Sequence, residues 1–98
     1  MKLLTKALIK KLPKLYTQDN VADPIVQVKF FDPTGSFTWF AYEFDGIDRF
    51  FGKVFSSLCP EGELGYFSLS ELQSVKGRFG LGIERDLYFK PKLLSQCK

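Results

Sequence analysis

Histidine is absent from the 98-residue sequence. That removes the commonest general base and metal ligand, and with it every serine–histidine and cysteine–histidine nucleophilic system. Two cysteines, Cys59 and Cys97, are too few for a zinc site of four nitrogen or sulfur ligands, and nothing forces them into a disulfide. No apolar run approaches the ~20 residues of a membrane span. Lysines at 2, 6, 10 and 11 interrupt any signal-peptide core, so a cytoplasmic location and no membrane association are expected. Neither a metal nor a cofactor is implied, and the expectation is a protein that is not an enzyme.

Aromatic residues, by contrast, are plentiful: eleven Phe, four Tyr and one Trp. Each ring brings about 150–250 Å² to bury, which is much for one small core. Some rings are therefore expected at the surface or at a partner interface, the rest in a Phe-rich core. At this length the chain is expected to form a single domain over residues 1–98.

Charge is unevenly spread. Residues 1–14 carry +5, residues 15–75 carry −6 and residues 76–98 carry +4, giving the net +3. Should the basic ends meet, they would form a patch for phosphate or for an acidic protein surface. The acidic middle argues against a simple nucleic-acid-binding protein.

Local patterns give a coarse structure. Thr5 is an acceptable helix cap before Lys6-Ala-Leu-Ile-Lys-Lys-Leu12, Leu4, Leu8 and Leu12 share a stripe, and Pro13 ends the pattern. Residues 17–24 read as a polar loop. Ile25 to Phe31 alternates as a strand, with Val26, Val28 and Phe30 on one face. Asp32-Pro-Thr-Gly35 has type I turn preferences and predicts a hairpin into Phe37–Phe44. That second strand is apolar on both sides, Phe37, Trp39 and Ala41 against Phe40, Tyr42 and Phe44, so it is central or it faces a partner.

Asp45-Gly46 opens a turn into a third strand at Arg49–Ser56, with Phe51 and Phe55 opposed to Phe50 and Val54. A loop at 57–62 leads to a strand near Leu64–Phe67. Ser68 and Glu71 have capping-box spacing for a helix over about 69–76, with Gly77 as its C′ residue. Residues 83–94 add one or two extended pieces, with Leu87 and Phe89 facing the core. The fold class is therefore α+β: an antiparallel sheet of four to five strands with one or two short helices packed on a face.

Three constellations invite chemistry, and each has a plainer reading. Gly77-Arg-Phe-Gly80-Leu-Gly82 is neither the dinucleotide nor the Walker pattern and follows a helix, so it reads as a glycine-rich turn. Glu43, Asp45 and Asp48, with Glu61 or Glu63, offer oxygen ligands to a cation but read more simply as solvated. Arg85, between Glu84 and Asp86, either pairs with a central-strand acid such as Glu43 or stands exposed for recognition.

The stretches Met1-Lys-Leu-Leu-Thr-Lys6, Lys11-Leu-Pro13 with Leu15-Tyr16, Val28-Lys-Phe-Phe31, Thr38-Trp39, Glu43-Phe-Asp-Gly46, Phe50-Phe-Gly52, Glu63-Leu-Gly-Tyr-Phe-Ser-Leu-Ser-Glu-Leu72 and Ile83-Glu-Arg-Asp-Leu-Tyr-Phe-Lys-Pro91 resemble a bacterial family filed as domain of unknown function 2958. Relatives usually carry proline where Phe79 and Gly82 stand, and the tail after Leu94 is not recognised as part of the pattern. The resemblance implies a setting on plasmids and integrative conjugative elements, beside transfer or anti-restriction genes, and supplies no catalytic residues.

Two functions are expected on these grounds. The first is a non-enzymatic binding protein of mobile elements, an inhibitor or adaptor for a host-defence protein (CRISPR or restriction type) or for a transfer protein. Its contact candidates are Trp39, Tyr42, Glu43, Asp45, Asp48 and Arg85, an acidic and aromatic set able to imitate nucleic acid. The alternative is a nucleic-acid accessory protein using Lys6, Lys10, Lys14, Arg78, Lys90 and Lys92, with rings stacking on bases. A monomer or weak homodimer is expected in either case.

Overall fold

A computed structural model describes residues 2–77 and 80–98 of the chain. Thr5 caps the first helix, α1 (Lys6–Lys11): its hydroxyl oxygen accepts the Leu8 amide at 3.2 Å. Leu4 and Leu12 are buried and Leu8 packs beside them, so the leucine stripe lies on the core as its spacing requires. Each fully buried leucine contributes about 1.5–3 kcal/mol.

The main sheet is antiparallel. Its strands are β2 (Val28–Phe31), β3 (Thr38–Phe44), β4 (Arg49–Ser56), β5 (Cys59–Ser68) and β6 (Glu84–Arg85), in the order β5-β4-β3-β2-β6. The other helix, α2 (Leu69–Ser74), follows β5 directly. The Ser68 hydroxyl oxygen accepts the Glu71 amide at 3.1 Å and donates to the Glu71 carboxylate at 2.9 Å. The α+β class with helices on a sheet face is thus the observed architecture.

Two clusters form the core, one on each side of the sheet. On the first face, Val28, Phe30, Trp39, Ala41, Phe44, Phe50 and Phe67 meet the leucines of the N-terminal segment and Leu72 of α2. On the second, Phe40 and Tyr42 meet Val26 and Cys97, with Phe51, Phe55, Phe89 and Leu94 around them. A small separate pair, β1 (Ile25–Val26) with β7 (Lys92–Leu93), carries the C-terminal tail across this second face.

Several local expectations change. Ile25–Phe31 is not one strand: β1 leaves the main sheet at Gln27, so Val26 packs on the second face while Val28 and Phe30 pack on the first. In β3 the register against β4 shifts between Ala41 and Glu43, a β-bulge with Tyr42 as the extra residue. The bulge turns Phe44 onto the face of Trp39 and Ala41, against strict alternation. Phe44 then stacks on Phe50 with centroids 4.5 Å apart.

The expected 57–62 loop is a two-residue turn. The Ser56 hydroxyl oxygen accepts the Leu58 and Cys59 amides, each at 3.2 Å, and β5 begins at once. Pro60 is tolerated because β5 is an edge strand. The second helix ends earlier than its pattern suggested, with Val75 as C-cap, so Gly77 is not its C′ residue. Gly77 instead lies tight against the 32–35 turn, where an added Cβ would fall 2.2 Å from Thr34 Oγ1. Leu87 is exposed because Asp86 organises a turn, accepting the Tyr88 amide on its carboxylate and the Phe89 amide on its carbonyl.

Candidate functional site

The acidic and aromatic contact set does not form a surface. Trp39 is buried on the first face, stacked with Phe37 at 5.5 Å. Tyr42 is buried at the bulge, and burial first, then the charges of Glu43, Asp19 and Tyr66, push its phenol above the ordinary value. Glu43, only 2% exposed, accepts the Tyr16 amide at 3.1 Å and the Gln18 amide at 2.8 Å. These bonds hold Tyr16 in the left-handed region, at φ 71°. Glu43 is thus the anchor of the 16–18 loop and is unavailable to a partner.

The other acids are also occupied. Asp45 is exposed, but its Oδ1 accepts the amides of Ile47, Asp48 and Arg49 at 2.8, 2.8 and 3.0 Å. Burial works to raise its pKa, and the three amides together with the Arg49 charge outweigh this and hold the carboxyl below its ordinary value. The Asp48 carboxylate accepts the Ser70 amide at 2.8 Å and the Ser70 hydroxyl at 2.9 Å, and its carbonyl accepts the Leu69 amide. It positions the start of α2. Arg85 donates from Nη1 to the Lys2 carbonyl at 2.9 Å and so ties the N-terminal segment to β6, not to Glu43. Glu43, Asp45, Asp48 and Arg85 make scaffold contacts, and no group of three metal-ligating side chains occurs among the described residues.

Lys6, Lys10, Lys14, Lys90 and Lys92 are exposed, and Arg78 lies outside the described residues. The N-terminal leucines pack on the first face, whereas Leu94 and Cys97 pack on the second. The N-terminal leucines and the last residues of the chain thus pack on opposite faces, while Arg85 of the basic C-terminal block meets the basic N-terminal segment at the Lys2 carbonyl.

A different strip stands open. On the second face, β4 presents Arg49, Phe51 and Lys53 beside Tyr66 and Leu64 of β5, since Phe51 faces Tyr66 and Lys53 faces Leu64 across the pair. Leu64 is 56% exposed, Tyr66 51% and the adjoining Tyr16 62%. Phe51 meets Tyr66 edge-on at 4.8 Å, the Arg49 guanidinium lies 5.5 Å from the Tyr66 ring centre, and Lys53 lies 5.4 Å from Phe55. A hydrogen bond with Tyr16, then burial and the charges of Tyr16, Asp19 and Glu43, raise the Tyr66 phenol. Asp48, Arg49, Tyr66, Phe67, Ser68 and Glu71 line an open hollow of about 460 Å³ at its end.

Alternation within Arg49–Ser56 already separated Phe51 from Phe50. What the sequence could not show is that the C-terminal tail covers Phe40 on this face and leaves Tyr66 open beside half-buried Phe51. A ring cluster backed by a buried layer and edged by cations suits adhesion to a macromolecule: the rings bring area at low entropic cost, and arginine and tyrosine are typical anchors.

No curated protein and no solved structure matches the chain. A family match covers residues 3–96, including Ser95 and Gln96 of the C-terminal tail. Its description is protein of unknown function (DUF2958), and the chain belongs to that family.

Proposed function

We propose that this is a non-enzymatic binding protein of mobile genetic elements, an inhibitor or adaptor that docks on a host-defence or transfer protein through the open strip on the second face. The observation that carries the reading is the exposure of Tyr16, Leu64 and Tyr66, each more than half open, on one ordered surface. The strip replaces Trp39, Tyr42 and Glu43 as the contact set. Its charges are mixed: Arg49 and Lys53 stand within it, and Asp19, Glu61 and Glu63 are exposed on or beside the elements that form it. Mixed charge around aromatic anchors suits a protein surface better than a polyphosphate backbone.

The test is recovery of partners by tagged protein from host lysate, with and without nuclease, for the wild type and for Tyr16→Ala/Tyr66→Ala. A protein partner that survives nuclease and binds the double variant at least ~30-fold more weakly is expected, since a single anchor residue contributes ~2 kcal/mol or more. A partner held equally by both proteins would move the contact away from the strip.

One observation favours the second reading, binding of single-stranded nucleic acid: Arg49 and Lys53 each lie against a ring on this face. Stacking between such rings and bases contributes about 1–3 kcal/mol per base. Recovery of nucleic acid alone, lost on nuclease treatment, and salt-sensitive binding of an oligonucleotide would select it.

A further inference from the structure

The outer edge of β5 is uneven. No strand pairs with it among the described residues. Its first half carries the usual guards of a sheet edge: Pro60, the charges of Glu61 and Glu63, and a bulge at Gly62, whose φ is 81°. The second half has none. From Leu64 to Ser68 there is neither a charge nor a proline, and the register against β4 is unbroken from Glu63 to Ser68. An unguarded edge of this kind offers its outward backbone N–H and C=O groups as a template for another strand.

We propose that the occupant is a second copy of this chain, paired antiparallel over residues 63–67 about a two-fold axis through Gly65. The argument is self-complementarity. With the axis normal to the sheet, residues facing each other across the join point to the same side, so only alternate registers are open. An axis at Gly65 sets Leu64 against Tyr66 of the second copy and Tyr66 against its Leu64. Both are more than half exposed and both lie on the second face. The same register sets Glu63 against Phe67, so no two acids oppose. On the first face the glycines meet, and space is available there, because a Cβ added at Gly65 meets nothing within 4 Å.

Neighbouring registers are poorer. An axis at Leu64 places Tyr66 against Gly62 in its bulge, and an axis at Tyr66 places Leu64 against Ser68. So short an edge falls in the small, weak class of interfaces, which means a micromolar dimer in reversible exchange. The product is one continuous sheet with two copies of the open strip side by side on the same face. The association concerns the edge and needs no outside partner, so it stands or falls apart from the function proposed above.

The experiment is cysteine cross-linking together with sedimentation of the full chain. In a Cys59→Ser background, Gly65→Cys is expected to give a disulfide-linked dimer under mild oxidation, because opposed residues at a non-hydrogen-bonded position of an antiparallel pair bring their Cβ atoms to about 4.5 Å, within a disulfide's reach. Glu63→Cys in the same background is expected to stay monomeric, since residue 63 faces residue 67. Sedimentation should show a concentration-dependent dimer for the wild type. Gly65→Lys, which opposes two like charges across the axis, should weaken it at least tenfold with an unchanged unfolding curve. A wild type that remains monomeric at millimolar concentration overturns the proposal. So does cross-linking that is equal at 63 and 65.

Discussion

Glu43 is a charge taken out of water in order to shape a loop. Both of its oxygens are used, one by the Tyr16 amide and one by the Gln18 amide. A carboxylate bonded to backbone N–H groups is among the stronger hydrogen-bonded arrangements. Glu43→Ala removes both acceptors, leaves two amides without partners and releases the strained φ of Tyr16. We expect a loss of about 3 kcal/mol, read from urea unfolding, and a much smaller loss for Glu43→Gln, which keeps one acceptor oxygen. Protease cleavage within 14–20 should rise in the alanine variant. The role was not legible in the sequence, because the partners lie 27 and 25 residues away and are main-chain atoms. Gly52 was equally opaque: a Cβ there would fall 1.9 Å from the Phe40 carbonyl oxygen, so the residue is required by a close backbone approach in the middle of the sheet.

At the scale of elements, what is locally determined could be read and what is set by register could not. Thr5 and Ser68 cap their helices from within four residues, and both caps are where their spacing put them. The hairpin turn at Asp32–Gly35 is likewise closed by its own residues, through the Asp32 carbonyl and carboxylate. The bulge at Tyr42 depends on how β4 pairs and reverses the side of Phe44, which alternation alone assigns wrongly. The β3–β4 turn depends on one carboxylate, that of Asp45. Its pKa in the folded protein is lowered, so its contribution is complete above the ordinary aspartate value of 3.8 and disappears as pH falls through the folded value. The stability gap between wild type and Asp45→Asn is expected to be about 0.5–1 kcal/mol at neutral pH, modest because the group is exposed. That gap should close below pH 3.8, as thermal unfolding across pH 2–7 would record.

For the whole molecule, the aromatic excess resolves by position. Phe30, Phe44, Phe50 and Phe67 fill the first face, and Phe40 and Tyr42 fill the second. Tyr16 and Tyr66 stay open because the covering tail stops short of them. That division was beyond local pattern reading, since it is decided where residues 92–97 cross the sheet. The tail is held by β7 pairing with β1, by the Leu94 amide on the Pro24 carbonyl and by Ser95 on the Asp23 carboxylate, with its amide at 2.9 Å and its hydroxyl at 2.6 Å. Cys97 completes it as a buried thiol whose pKa burial pushes up, so it acts as a small apolar plug and resists alkylation in the folded state. Deleting residues 94–98 would uncover Phe40 and Val26 and extend the open strip across the rest of the second face. Loss of buried Cys97 and half-buried Leu94 is expected to cost about 2–4 kcal/mol, with a matching fall in urea midpoint. Increased binding of a hydrophobic dye should accompany it. If the deletion left both stability and dye binding unchanged, the second cluster would not be a core, and the boundary that confines the strip to Phe51, Leu64 and Tyr66 would have to be drawn elsewhere.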